Sequence, residues 1–303
     1  MPIPQPNISE NNADFMQRCM TDSTMVVEYA DQSQRYAVCA AQLPTNSKAA
    51  REWRKMDRQR SKFRRIFRKE FKKALDEQIK PILEQIGEGK ANGLSYEALN
   101  ERTIKDKMIK LYRETGSAFA KKQFNEVKGI SNDYQIKADA NDLEDIWKIY
   151  FADYVENQLG TKIISITADS KKIVQKKLKE ILSEMPNAGS QEQAQKLRKM
   201  VTDEYLKSKA YRVERIVRTE TTAASNLGLI KGMDSTGMKY KKVWQTAIDE
   251  RTRTGHSIAN GQTVNKDEPF LVDGENLMYP GDPNGMPGNV INCRCTHSFE
   301  LIR

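Results

Sequence analysis

Both histidines and two of the four cysteines of this 303-residue chain fall between Lys239 and Ile302. Within that stretch Cys293, Cys295 and His297 alternate. If the run is a strand, its period of two puts all three on one face, with Arg294 and Thr296 on the other. Two thiolates and an imidazole suit tetrahedral Zn²⁺, and His256 is the candidate to close the site. Structural zinc more often uses C-x₂₋₄-C knuckles than C-x-C. Buried cysteines packing as small hydrophobes fit the same pattern without an ion, and this reading carries the greater weight. The expected cofactor is therefore none, with zinc the one candidate. A bridge between Cys293 and Cys295 is disfavoured, because same-face strand neighbours lie near the limit of the allowed Cα separation.

Small β elements must hold these groups. Tyr240, Val243 and Trp244, and then Phe270, Leu271 and Val272, predict short strands, with turns at Gly261, Gly274 and Pro280-Gly281. Asp249, Arg251 and Arg253 precede His256 without apolar periodicity, which predicts a loop or short helix beside the sheet. A helix expected over 208–233 carries Arg218 and Glu220, two positions apart and so on different faces. Arg218 is expected to reach Asp249, and Glu220 to reach Arg251 or Arg253.

The run RTETTAASN (218–226), then W-x₄-D-x-R-T-R-x₂-H from Trp244 to His256, Gly261, Phe270, Pro280-Gly281 and the terminal NCRC resemble the phage Mu F-like minor head protein domain. The resemblance covers the C-terminal half. FMQRCM and QRYAVCAAQ, near the start, are similar to a short segment that opens many phage head-assembly proteins. The resemblance implies a portal-associated minor capsid protein of head morphogenesis, not an enzyme, present in few copies and influencing genome packaging or delivery. Implied partners are the portal protein, the major capsid or scaffolding protein, and packaged double-stranded DNA. The implied location is the virion interior, with the host cytoplasm during assembly. Arg218, Glu220, Trp244, Asp249, Arg251, Arg253, His256, Cys293, Arg294 and Cys295 are then expected to be structural.

Length allows two or more domains, and the 30% of charged residues predicts helices with broad solvated faces. The expected class is α+β: an N-terminal arm and short helical hairpin over 1–46, a helical region over 47–159, and an α+β domain over 160–303. No run is apolar enough to span a membrane. Four cysteines do not make a disulfide scaffold in so long a chain, which fits a reducing compartment. Cys19 and Cys39 fall on the two hairpin helices; the thiols could meet if those helices pair, but buried packing is the expected role in a reducing compartment.

The segment 48–80 holds 14 Lys or Arg against 5 Asp or Glu, a net of +9 that equals the charge of the whole chain. Trp53, Met56, Phe63, Phe67, Phe71, Leu75 and Ile79 recur at three- and four-residue steps, predicting an amphipathic helix that ends by Gly87 and is open to a kink at Pro81. Arg51, Arg54, Arg58, Arg64, Arg65, Arg68 and Lys72 form its candidate DNA- or partner-binding face. An acidic protein surface fits equally, while a membrane is the least expected partner.

Helices are further expected over 94–127, 133–159, 167–182 (capped by Thr167 to Ser170), and from Ser190, boxed with Gln193, to Tyr205. Residues 44–47 read as a linker. No nucleophile turn, H-E-x-x-H helix, P-C-x-x-C pattern or phosphate loop occurs, so no catalytic residue is assigned. The runner-up from another class is a zinc-dependent hydrolase or nuclease acting on nucleic acid.

Overall fold

In the computed structural model, residues 3–7, 10, 12–42, 48–99, 101–130, 136, 138–184, 190–247, 249 and 251–302 are described. The helices in chain order are α1 (Asn12–Thr21), α2 (Ser23–Glu28), α3 (Gln32–Ala41), α4 (Lys48–Gly87), α5 (Arg102–Ile130), α6 (Glu144–Gln158), α7 (Gly160–Glu184) and α8 (Gln191–Asp234). The remainder is β1 (Tyr240–Gln245), α9 (Thr254–Ile258), β2 (Thr263–Asn265), β3 (Phe270–Val272), β4 (Glu275–Leu277), α10 (Pro287–Val290) and β5 (Thr296–Leu301). The class is α+β, as expected. No described helix is long and apolar enough to cross a membrane.

Two compact units share the chain: residues 1–62, 118–140 and 222–303 form one, and 63–117 with 141–221 form the other. In the first, β1 is the centre of an antiparallel sheet of order β2-β1-β5, and β3 pairs with β4. Trp244 stands opposite His297, and Lys242 opposite Phe299. Gly261, Gly274 and Gly281 turn with positive φ, which only glycine adopts without steric cost. Trp244, Phe270, Val272 and Leu277 pack with Cys293 and Cys295 as the core of the β part. Val127, Met233 and Tyr240 join the ends of α5 and α8 to the sheet.

The other unit is helical. Phe151 lies where a side chain on Gly116 would be, so α5 and α6 meet closely there. Gln78 donates to Thr167 Oγ1 (2.9 Å) and accepts from Ser170 Oγ (2.9 Å), and the Tyr205 hydroxyl donates to the Leu75 carbonyl (3.1 Å). These bonds fix α4 against α7 and α8.

Several helix boundaries depart from expectation. α7 begins at Gly160, and the Thr167 and Ser170 hydroxyls donate back to the carbonyls of Ile163 and Ile166 instead of capping. α8 is one helix of 44 residues with no break near 205. Two 3₁₀ turns, Ala91–Gly93 and Tyr96–Ala98, precede α5, and α6 starts at Glu144. α4 runs to Gly87 as expected, and Pro81 does not end it. The Ser190–Gln193 box forms reciprocally at 3.2 and 3.3 Å. Residues 44–47 lie outside the described residues. Cys19 and Cys39 are joined as a disulfide rather than packed as thiols; α1 and α3 pair, both sulfurs are fully buried, and the Cα atoms lie 5.9 Å apart.

Candidate functional site

The chemistry gathers around Asn226, a residue of α8 with no exposed surface. Its Nδ2 donates to the carbonyls of Pro280 (2.6 Å) and Cys295 (3.2 Å), while its Oδ1 accepts from Arg60 Nη2 (2.6 Å) and Thr296 Oγ1 (3.0 Å). Arg60, on α4, is also buried. It donates from Nε to Ser225 Oγ (2.7 Å) and from Nη1 to the carbonyls of Arg294 (3.3 Å) and Cys295 (3.1 Å). Trp53 Nε1 adds a bond to the Arg294 carbonyl (3.0 Å). A buried guanidinium is tolerated only when its donors are matched, and here each nitrogen has an acceptor. The Cys293 to Cys295 segment is thereby held in place without being a strand.

That placement corrects the expected strand face. Cys293 and Cys295 follow a left-handed Asn292 (φ 58°) on a segment that is not a strand, and β5 starts only at Thr296. Cys293, Cys295 and His256 converge, with Cys295 Sγ 3.3 Å and Cys293 Sγ 3.7 Å from His256 Nδ1. His297 does not join them. It is buried against Phe299, neither of its nitrogens has a hydrogen-bond partner among the described residues, and burial, with Lys242 and Arg60 nearby, holds its pKa well below the ordinary range. His256 packs edge-on to Trp244, their ring centroids 5.8 Å apart. The hydrogen bond from Cys295 and the adjacent His256 hold the Cys293 thiol well below its usual pKa. Burial and the Cys293 sulfur push Cys295 up.

The charged residues pair differently from expectation. Arg294 grips Asp249 through two hydrogen bonds. Burial alone would raise that carboxyl, but the guanidinium outweighs it and the pKa lies below the ordinary range. Arg218 pairs with Glu214 (2.8 Å), one turn back on α8. Glu220 accepts from the Tyr112 hydroxyl (2.8 Å) and Lys162 (3.2 Å). Arg251 is exposed and pairs with Asp249, while Arg253 donates to the Ile291 carbonyl.

Beside the cluster, α1 and α3 meet α9 across a cleft of about 470 Å³ lined by Met16, Met20, Tyr36, Ser257 and Ile258. Tyr36 is buried at its wall, and that burial raises the pKa of its phenol.

On α4, Arg51, Arg54, Arg58, Arg65 and Lys72 are exposed as expected, and Lys55, Lys62, Lys69 and Lys73 join them. Their three- and four-residue steps set them on one face. Arg64 is half-buried, and Arg68 is drawn aside to Glu214 (2.7 Å). Sequence reasoning missed Arg60 and Asn226. Arg60 falls in step with Trp53, Met56, Phe67 and Phe71, and a lone charge on an apolar stripe is the signal of a buried anchor.

Residues 176–298 match the family described as phage Mu protein F like protein. The chain is also 34% identical over 91 residues to the NAD(+)--arginine ADP-ribosyltransferase EFV of Enterococcus faecalis (strain ATCC 700802 / V583), covering 29% of this chain and 18% of that protein. It therefore spans less than a fifth of that relative. No solved structure matches the chain.

Proposed function

Taking residues 176–298 as a phage Mu F-like segment, we propose that this chain is a minor capsid protein of phage head morphogenesis that associates with the portal and touches packaged double-stranded DNA through α4. The family match carries the head-morphogenesis role. DNA contact is supported by the exposed face of α4. From Arg51 to Lys73 the exposed positions are basic except Ser61 and Ile66, whereas Glu52, Asp57 and Glu70 are half-buried. At 1.5 Å per residue the stripe is about 33 Å long, enough to track several phosphates without reading bases. The protein would assemble in the host cytoplasm and end in the virion interior, with the major capsid or scaffolding protein as further contacts. The transferase activity in the relative's name stays with that relative, of which the shared segment is 18%.

The test measures binding of the full chain to a fluorescent duplex of arbitrary sequence over a salt series. Neutralising about five phosphates gives a log–log slope near −4.5. Arg51→Glu, Arg58→Glu, Arg65→Glu and Lys72→Glu together should remove most of the affinity and flatten the slope, with an unchanged melting temperature. A quadruple variant that binds DNA like the parent would sink the DNA contact. Co-purification with the portal at low and high salt tests the other arm, and a chain that ignores the portal under both conditions counts against the association.

A further inference from the structure

We propose that His256, Cys293 and Cys295 hold one transition-metal ion of the zinc class, through His256 Nδ1 and both Sγ atoms. The three ligand atoms lie within 4.8 Å of one another, and all three residues are buried. Zn–S bonds near 2.3 Å and Zn–N bonds near 2.0–2.1 Å at tetrahedral angles put ligand nitrogen and sulfur about 3.5 Å apart. The observed separations of 3.3 and 3.7 Å bracket that value. The ring nitrogen faces both sulfurs at once. As a hydrogen-bonding group Nδ1 offers either one proton or one lone pair, so it can serve one sulfur well. A cation at the centre satisfies all three.

The surroundings favour a held ion. Asn226 and Arg60 anchor the Cys295 carbonyl, Trp53 and Arg60 anchor that of Arg294, and Trp244 packs against the imidazole. The ligand segment is fixed by backbone bonds that need no metal, so the site is preorganised. Soft thiolates with one imidazole select zinc-class ions over Mg²⁺ or Ca²⁺. Among the described residues no fourth donor joins the three, which leaves one tetrahedral position for a ligand from outside them. His297, the fourth ligand expected from the alternation, is excluded.

The test uses the full chain produced in zinc-supplemented medium, desalted and assayed for metal, with Co²⁺ exchanged into a second sample as a spectroscopic probe. About one equivalent of zinc per chain is expected, with intense visible bands of four-coordinate Co²⁺ and a thiolate charge-transfer band. His256→Ala and Cys293→Ser should each cut the retained metal at least about tenfold, since each removes a ligand. His297→Ala should keep it. Should the ligand variants not fold, the parent decides alone: a folded chain that gives no stoichiometric zinc and only the pale spectrum of hydrated Co²⁺ overturns the proposal. Loss of metal in His297→Ala, with fold retained, overturns the ligand assignment.

Discussion

At the scale of single residues, Lys242 gives a pH-dependent prediction. Its side chain has no exposed surface, its amine donates to the Met278 carbonyl (3.0 Å), and it lies over the Phe270 ring. Burial lowers its pKa to about 8, against the pull of Asp267, Asp282, Asp234 and Glu268. A free lysine titrates near 10.4, so between about pH 8 and 10 the unfolded chain holds a proton that the native chain has lost. Stability therefore rises with pH through that window, by about 2 kcal/mol from pH 8 to 9.5. Above pH 10 the trend reverses, because the buried phenols of Tyr36, Tyr205 and Tyr240 have raised pKa values and ionise first in the unfolded chain. Urea midpoints of the parent and Lys242→Met at pH 7, 8 and 9.5 check this. The parent should gain stability and the variant should not, and equal curves would refute it. The residue scale is also where sequence reasoning went furthest astray. The ligand-type residues could be named, but grouping His297 with the cysteines rested on a strand that begins only at Thr296. Pairings such as Arg294 with Asp249 depend on a turn geometry that a linear pattern does not encode.

Among elements, amphipathic α4 was readable because one face is apolar and the other polar, and the strands at Tyr240 and Phe270 because short aromatic and β-branched runs are bounded by turn residues. The unbroken length of α8 was not. Residues 219–229 are all buried, so the apolar/polar alternation that marks a helix is absent, and Thr, Ala and Ser fill the interior instead. Small residues there serve close approach. A Cβ at Gly232 would fall on the backbone carbonyl of Ala120 in α5, whereas one at Gly129 would meet nothing within 4 Å. Gly232→Ala should thus force the helices apart and cost about 3 kcal/mol or more. Gly129→Ala should be neutral or stabilise by up to about 1 kcal/mol through helix propensity alone. Thermal melts of the two variants should shift in opposite directions. A Gly232→Ala protein as stable as the parent would mean that the α5–α8 approach is looser than the structure shows.

Across the whole molecule, the Mu F-like segment and the folded unit are different objects. The match covers 176–298, yet the unit that holds its β part also draws on residues 1–62 and 118–140. The reasons are specific. Arg60 and Trp53 supply the donors that occupy the carbonyls of Arg294 and Cys295, and Arg60 meets Ser225 and Asn226 as well. Val127 covers Met233 and Tyr240. A fragment of residues 176–303 would leave those buried acceptors unmatched, each costing about 1–3 kcal/mol, and would expose the apolar surface beneath Val127. A domain's stability is only about 5–15 kcal/mol, so the sum is enough to abolish folding. The fragment is expected to show no cooperative near-UV melt and to bind a hydrophobic dye. The full chain carrying Arg60→Ala should fold but lose about 3 kcal/mol, because it forfeits only the guanidinium bonds. If the fragment melted cooperatively within a few degrees of the full chain, the family segment would be self-sufficient and the anchoring by α4 incidental. If instead only Arg60→Ala behaved as the parent, the burial of that guanidinium would be energetically idle and the segment 293–295 would be held by its sheet and core alone.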